Sequence, residues 1–228
     1  MKRICLIIFL GIFLYGCNAQ KEQNTIEEEV QKQEVPKVAS PEAVEPVFSD
    51  DIEEKRTDWQ NPETVLQAFG NLTDKTVADI GAGAGYFSFK LARVAGKVIA
   101  LDIDPNALEY INEQKEIVGN WAKNIETRLT PPDVPNLLQN ETDAVLVVNT
   151  FCFIPKQINY FERLKDGMKS GAELVIVDFK KGEIPVGPSE DRKMDAGEVR
   201  TILRKAGFRK ISVDESSLQY QYIIKAQN

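Results

Sequence analysis

The chain has 228 residues, is 43% hydrophobic and 28% charged, and carries a formal net charge of −7. That composition supports a sizeable core and argues against nucleic acid as a partner, because neutralising phosphates takes a basic surface. It contains no histidine, which excludes a Ser-His-Asp or Cys-His catalytic unit and a His-ligated metal site. Its three cysteines, Cys5, Cys17 and Cys152, are too few and too scattered for a disulfide framework or a zinc cluster, so no metal is expected.

The N-terminus "MKRICLIIFLGIFLYGCNAQ" opens with two positive charges and an apolar run from Ile4 to Tyr15. The run has the length of a signal-peptide core and falls short of the ~20 residues of a membrane span. It ends in Leu14-Tyr15-Gly16-Cys17, which resembles the bacterial lipobox, where a small residue precedes a cysteine that is lipidated before cleavage. The resemblance implies a signal peptide over 1–17, lipidation of Cys17, and a protein anchored to the membrane in the cell envelope, facing the periplasm or the exterior. An uncleaved anchor helix is the alternative, with the same outward face. Residues 18–50 are rich in Glu, Gln, Lys and Pro and nearly free of aromatics, so they cannot bury enough surface to offset their ordering entropy. They read as an acidic disordered tether, with a short helix allowed over Thr25–Gln33.

A folded domain is expected over 51–228. An extra helix, "PETVLQAF", precedes strand-like runs at Thr76–Ile80, Lys97–Leu101, Ile125–Leu129, Ala144–Asn149, Glu173–Asp178, Lys210–Asp214 and Gln219–Lys225. Helix-like segments fall at Tyr86–Ala95, Pro105–Val118, Gln157–Lys169 and Asp195–Ala206. Alternating strands and helices imply an α/β fold, a doubly wound and mostly parallel sheet with helices on both faces. "VLVV" and "LVIV" lack period-2 alternation, as strands buried on both faces do. The last two runs have only Glu215–Leu218 between them and read as an antiparallel hairpin at the sheet edge.

The stretch "VADIGAGAGYFSFKLA" places Gly81, Gly83 and Gly85 between the first strand and a helix. Glycine lets backbone approach a ligand, but it also serves a plain tight turn. The dinucleotide fingerprint needs a small residue three after its second glycine; Tyr86 stands there, which disfavours a pyrophosphate site and a nicotinamide-dependent reductase. Asp79 ends the first strand, and Asp102 ends the second at the spacing of an acid that hydrogen-bonds a ribose diol. Asp104, ahead of Pro105, supplies the helix cap, which leaves Asp102 for other work.

"VADIGAGAGYFSFKLA", "VIALDIDP", "TDAVLVVNTFCFI" and "LKDGMKSGAELVIVDFKKGEIPVGP" resemble, in order, the motifs of class I S-adenosylmethionine-dependent methyltransferases. The resemblance runs from about Trp59 to Ile224. It implies a Rossmann-like seven-stranded sheet with an antiparallel last strand and S-adenosyl-L-methionine as cofactor. Gly81, Ala82, Gly83 and Gly85 would line its methionine part, and Asp79 would orient its amino group. Asp102 would bind the ribose hydroxyls, Ile103 would lie against the adenine, Asp133 would meet the adenine amino group, and Asn149 would face the methyl and the acceptor. The acceptor is expected to be a small molecule.

Methyl transfer asks chiefly for alignment of nucleophile, methyl carbon and sulfonium, and for a base only where the nucleophile enters protonated. Without histidine the polar candidates near the reacting centre are Asp178, Lys180, Lys181 and Tyr220, and Cys152 reads as a small buried hydrophobe. The rival reading is a catalytically degenerate fold kept as a binding or scaffold module, since an exported protein meets little of a cytosolic cofactor.

Overall fold

The computed structural model describes residues 50–228, with side chains from Lys55 onward. The segments read from the sequence as an export signal, a Cys17 attachment site, a short Thr25–Gln33 helix and a tether, up to residue 49, lie outside the described residues. Among the described residues no helix is long and apolar enough to cross a membrane.

Strands β1 (Thr76–Ile80), β2 (Lys97–Asp102), β3 (Ile125–Leu129), β4 (Thr142–Val148), β5 (Met168–Phe179), β6 (Arg209–Asp214) and β7 (Gln221–Gln227) form one sheet. Its order is β3-β2-β1-β4-β5-β7-β6. The first five strands pair in parallel, and β7 runs antiparallel to both β5 and β6. This is the doubly wound sheet with an antiparallel last strand expected from the sequence. The strand order reverses between β1 and β4, and in such sheets ligands bind outside the carboxyl ends of the strands at that reversal.

Among the described residues six α-helices accompany the sheet: α1 (Asp50–Gln60), α2 (Pro62–Gln67), α3 (Tyr86–Ala92), α4 (Pro105–Val118), α5 (Gln157–Gly167) and α6 (Ala196–Lys205). Alternate strand residues feed two cores. Ala78, Ile99, Val145, Val147 and Ile176 pack with Phe161 and Leu164 of α5 and with Val199 and Leu203 of α6. Val77, Val98, Leu146, Val148 and Val175 pack with Val65 of α2, Leu91 of α3 and Ile111 of α4. Both faces being dry explains why these strands read as unbroken apolar runs.

Local chemistry sets most helix ends. Asp104 caps α4 by accepting from the Asn106 amide, with Pro105 at the first position, and Asp195 with Glu198 closes a capping box on α6. α3 stops at Ala92, short of the expected Ala95, and Gly96 follows against the Asp74 backbone, where a Cβ would sit 2.8 Å from Asp74 Cα. β4 ends at Val148, because Asn149 turns into the left-handed region at φ 55. α5 ends at Gly167, where β5 begins five residues earlier than expected. The final strand starts at Gln221; Gln219 and Tyr220 belong to the connection, where Lys180 Nζ donates to the Leu218 and Gln219 carbonyls at 2.8 and 3.1 Å.

Candidate active site

A cleft of about 230 Å³ opens at the carboxyl ends of β1 and β4, lined by Asp79, Gly81, Ala82, Gly83, Asn149 and Thr150, and by Arg56 and Tyr86 at its rim. The glycine turn forms its floor. The Gly81 and Ala82 amides donate to the Leu101 carbonyl at 2.8 and 3.0 Å, so β2 holds the turn from behind. Gly81, Gly83 and Gly85 all have positive φ, which a side chain would strain. At Gly83 an added Cβ would meet nothing within 4 Å, whereas at Gly81 it would lie 2.2 Å from Thr150 Oγ1. The Thr150 hydroxyl donates to the Val148 carbonyl at 2.8 Å and is not free to move aside. Gly81→Ala is therefore expected to lower unfolding free energy by about 2–3 kcal/mol and to narrow the cleft, checked by urea denaturation.

Gly85 serves differently from its neighbours. It opens α3, and a Cβ there would meet Ile111 and Phe89 at 2.9 and 3.0 Å, so this glycine lets α3 approach α4 instead of lining the cleft.

Asp79 is 2% exposed, and Ser88 Oγ donates to its Oδ2 at 2.7 Å. Burial pushes its carboxyl up to about 6, with the Ser88 hydrogen bond and the Arg56 charge pulling the other way. Arg56, on α1, was not singled out by the sequence reading. Its guanidinium lies 4.3 Å from the Tyr86 ring centroid and 5.6 Å from that of Phe87. Tyr86 is fixed in turn by a 2.8 Å hydrogen bond with Thr57. The large residue that breaks the dinucleotide fingerprint is thus the platform for a cation. A buried anion and a half-buried cation face one small cleft.

Asp104 takes the cap as expected, and Asp102 braces the glycine turn. Its Oδ2 accepts from the Gly83 amide at 2.7 Å and its Oδ1 from the Asp104 amide at 2.9 Å. Each carboxylate oxygen keeps a further lone pair, so this bracing leaves acceptor capacity. Ile103 beside it is 61% exposed. Asp133 lies on an exposed loop, where its backbone carbonyl accepts from Arg163 at 3.3 Å.

The other polar candidates stay outside the cleft lining. Asp178 is 2% exposed, its Oδ1 accepts from the Phe179 amide at 2.8 Å, and its Oδ2 has no hydrogen-bond partner among the described residues. Lys180 ties down the hairpin connection, and Lys181 is exposed. Cys152 is half-buried, not enclosed as expected, and burial with the Asp178 charge pushes its thiol up to about 11, which removes the thiolate that a nucleophile needs.

Comparison with known proteins follows this geometry. The methyltransferase domain family matches residues 78–176. A solved S-adenosylmethionine-dependent methyltransferase from Aquifex aeolicus is 30% identical, with a TM-score of 0.71, over 79% of this chain and 98% of that one. A phosphoethanolamine N-methyltransferase from Haemonchus contortus, solved with S-adenosylhomocysteine, shares the fold at 16% identity, with a TM-score of 0.61 over 75% of this chain and 52% of that one. The tRNA U34 carboxymethyltransferase of Nautilia profundicola is 27% identical over 123 residues, 53% of this chain and 40% of that protein. The chain spans about half or less of the length of the curated relatives it matches. With a whole solved relative matched almost end to end, the chain belongs to the S-adenosylmethionine-dependent methyltransferases.

Proposed function

We propose that the cleft takes the methionine part of S-adenosylmethionine as a zwitterion, with Asp79 on its ammonium and Arg56 on its carboxylate. The observation that carries this is the pairing of opposite charges across one small cleft beside a glycine turn. Gly81, Ala82 and Gly83 would run along the aliphatic part of the cofactor. The lone pairs left on Asp102 would take the ribose hydroxyls, Ile103 would cover the adenine, Asp133 would meet its amino group, and Asn149 would face the methyl. The protein's work in the reaction is then to bind, to orient and to exclude water, which suits a chain without histidine.

The methyl acceptor is read as a small molecule. The curated relatives named for tRNA favour a second acceptor class, against which stand the net charge of −7 and the fraction of their length that this chain spans. We place the enzyme on the outer side of a membrane through Cys17, so that the domain reaches its acceptor from a tether. Palmitate labelling that disappears in Cys17→Ser is the result expected for that anchor, and labelling that persists would remove it.

The zwitterion reading is tested by Arg56→Ala in the full chain. S-adenosylhomocysteine should bind roughly 10- to 100-fold more weakly, while 5′-methylthioadenosine, which lacks the amino-acid end, should be unaffected. Equal losses for both ligands would take Arg56 off the carboxylate. Transfer of label from methyl-tritiated cofactor into a metabolite extract, but not into tRNA, is the expected outcome for the acceptor class.

A further inference from the structure

Three side-chain hydrogen bonds run through the interior from α1 to the wall of the cleft. Arg56 Nε donates to Gln60 Oε1, Gln60 Nε2 donates to Gln221 Oε1 at 3.0 Å, and Gln221 Nε2 donates to Asn149 Oδ1 at 2.5 Å. Both glutamines are 0% exposed. Buried amides in contact with one another are held in place by the cost of leaving either end unmet.

The arginine gives the series a direction. A guanidinium has donors only, so Gln60 must turn its carbonyl toward Arg56 and its NH2 inward. Gln221 must then accept through its carbonyl and pass its own NH2 to Asn149. Asn149 is left one orientation, with Oδ1 taken and its NH2 group presented to the cleft that it lines. Its backbone is fixed as well, by the left-handed turn at φ 55 and by a 2.9 Å hydrogen bond from its amide to the Val177 carbonyl. Successive amides aligned in this way polarise one another and strengthen the terminal donor.

We propose that Gln60 and Gln221 are positioning residues that hold Asn149 as a hydrogen-bond donor to the methyl acceptor, and that the acceptor group is a carboxylate. This rests on the reading of the cleft given under Proposed function. A carboxylate offers the lone pairs that an NH2 group seeks, whereas an ammonium would set donors against donors. It also enters deprotonated, so no base is needed in a chain that has no histidine. In the step, one carboxylate oxygen uses a lone pair to form the new O–CH3 bond. The S–CH3 bond breaks with its electron pair left on sulfur. The negative acceptor and the positive sulfonium become a neutral ester and a neutral thioether, and no proton moves. Asn149 holds the second oxygen throughout.

The test uses the full chain labelled with nitrogen-15, with S-adenosylhomocysteine added first and then benzoate or benzylammonium as probes of matched size. The cofactor product should move the Gly81 and Gly83 backbone amides. Benzoate should then shift the Asn149 side-chain NH2 resonances saturably, and benzylammonium should not. Gln221→Met should weaken the benzoate response at least fivefold while leaving the cofactor response in place. Gln60→Met, one bond further from Asn149, serves the same purpose if the first variant does not fold. A benzoate response of unchanged strength in these variants, even with lowered melting temperatures, would reduce the series to a structural tie and overturn the proposal. Equal responses to both probes, or none to benzoate in the loaded protein, would overturn it too. Gly81 and Gly83 unmoved by S-adenosylhomocysteine would instead bring down the reading of the cleft itself.

Discussion

Asp79→Asn should stabilise the cofactor-free protein at pH 7 and at the same time remove most of its affinity for S-adenosylhomocysteine. The carboxyl is 2% exposed and sits at about 6, against an ordinary value of 3.8. Between those two values the folded state holds more protons than the unfolded one, so this group's contribution is favourable below about pH 4 and is lost as pH rises through about 6. A rise of that size corresponds to about 3 kcal/mol against the ionised, folded form. Asparagine keeps an acceptor for the Ser88 hydroxyl and carries no charge, so a gain of about 2–3 kcal/mol is expected at pH 7 and none at pH 4, read from urea denaturation at both. Binding moves the other way. An ammonium needs the ionised carboxylate, so in the unsubstituted protein affinity should be about tenfold weaker at pH 5 than at pH 7. In Asp79→Asn that pH dependence should vanish along with at least tenfold of the affinity. A destabilised variant at pH 7 would contradict a buried, strained anion at this position.

The second large effect belongs to Asp102. Alanine here removes the acceptors for the Gly83 and Asp104 amides as well as the proposed ribose contacts. The turn that lines the cleft then loses its brace at its most open glycine. Affinity for S-adenosylhomocysteine should fall by roughly 100-fold, with a stability loss of about 1–2 kcal/mol, since the residue is only half-buried. Asp102→Asn, which keeps one acceptor oxygen, should recover part of the stability and little of the affinity. Calorimetric titration of both variants separates the two roles. Unchanged affinity in the alanine variant would detach Asp102 from the ligand.

The sheet was legible because its strands announce themselves: "VLVV" and "LVIV" are apolar without alternation, and the structure buries both of their faces. The caps were equally plain, since Asp104-Pro105 and Asp195 with Glu198 act within a few residues of themselves. What the sequence hid is non-local. α1, "DDIEEKRTDWQ", carries no apolar stripe, so nothing in it signals a helix at the domain's start. It is held by pairs distant in sequence: Trp59 with Phe179 at 5.6 Å between ring centroids, Arg56 over Tyr86, and Gln60 with Gln221. Arg56 was missed for the same reason, because the ring it lies over comes 30 residues later in the chain. Asp104 does cap its helix and leave Asp102 for other work, but part of that work, accepting from the Gly83 amide, was not legible because the amide arrives from another loop. Gly85 was grouped with the ligand-lining glycines by the family resemblance, and the close approach of Ile111 gives it a packing purpose that the sequence does not show.

We propose that a charged cleft at the β1–β4 reversal holds the amino-acid end of S-adenosylmethionine. The most direct test is isothermal titration of S-adenosylhomocysteine into the full-length protein at pH 7, beside Asp79→Asn and Arg56→Ala. Saturable one-site binding in the micromolar range is expected, at least tenfold weaker in each variant. Absence of binding to a folded protein, or equal affinity in all three, would contradict it.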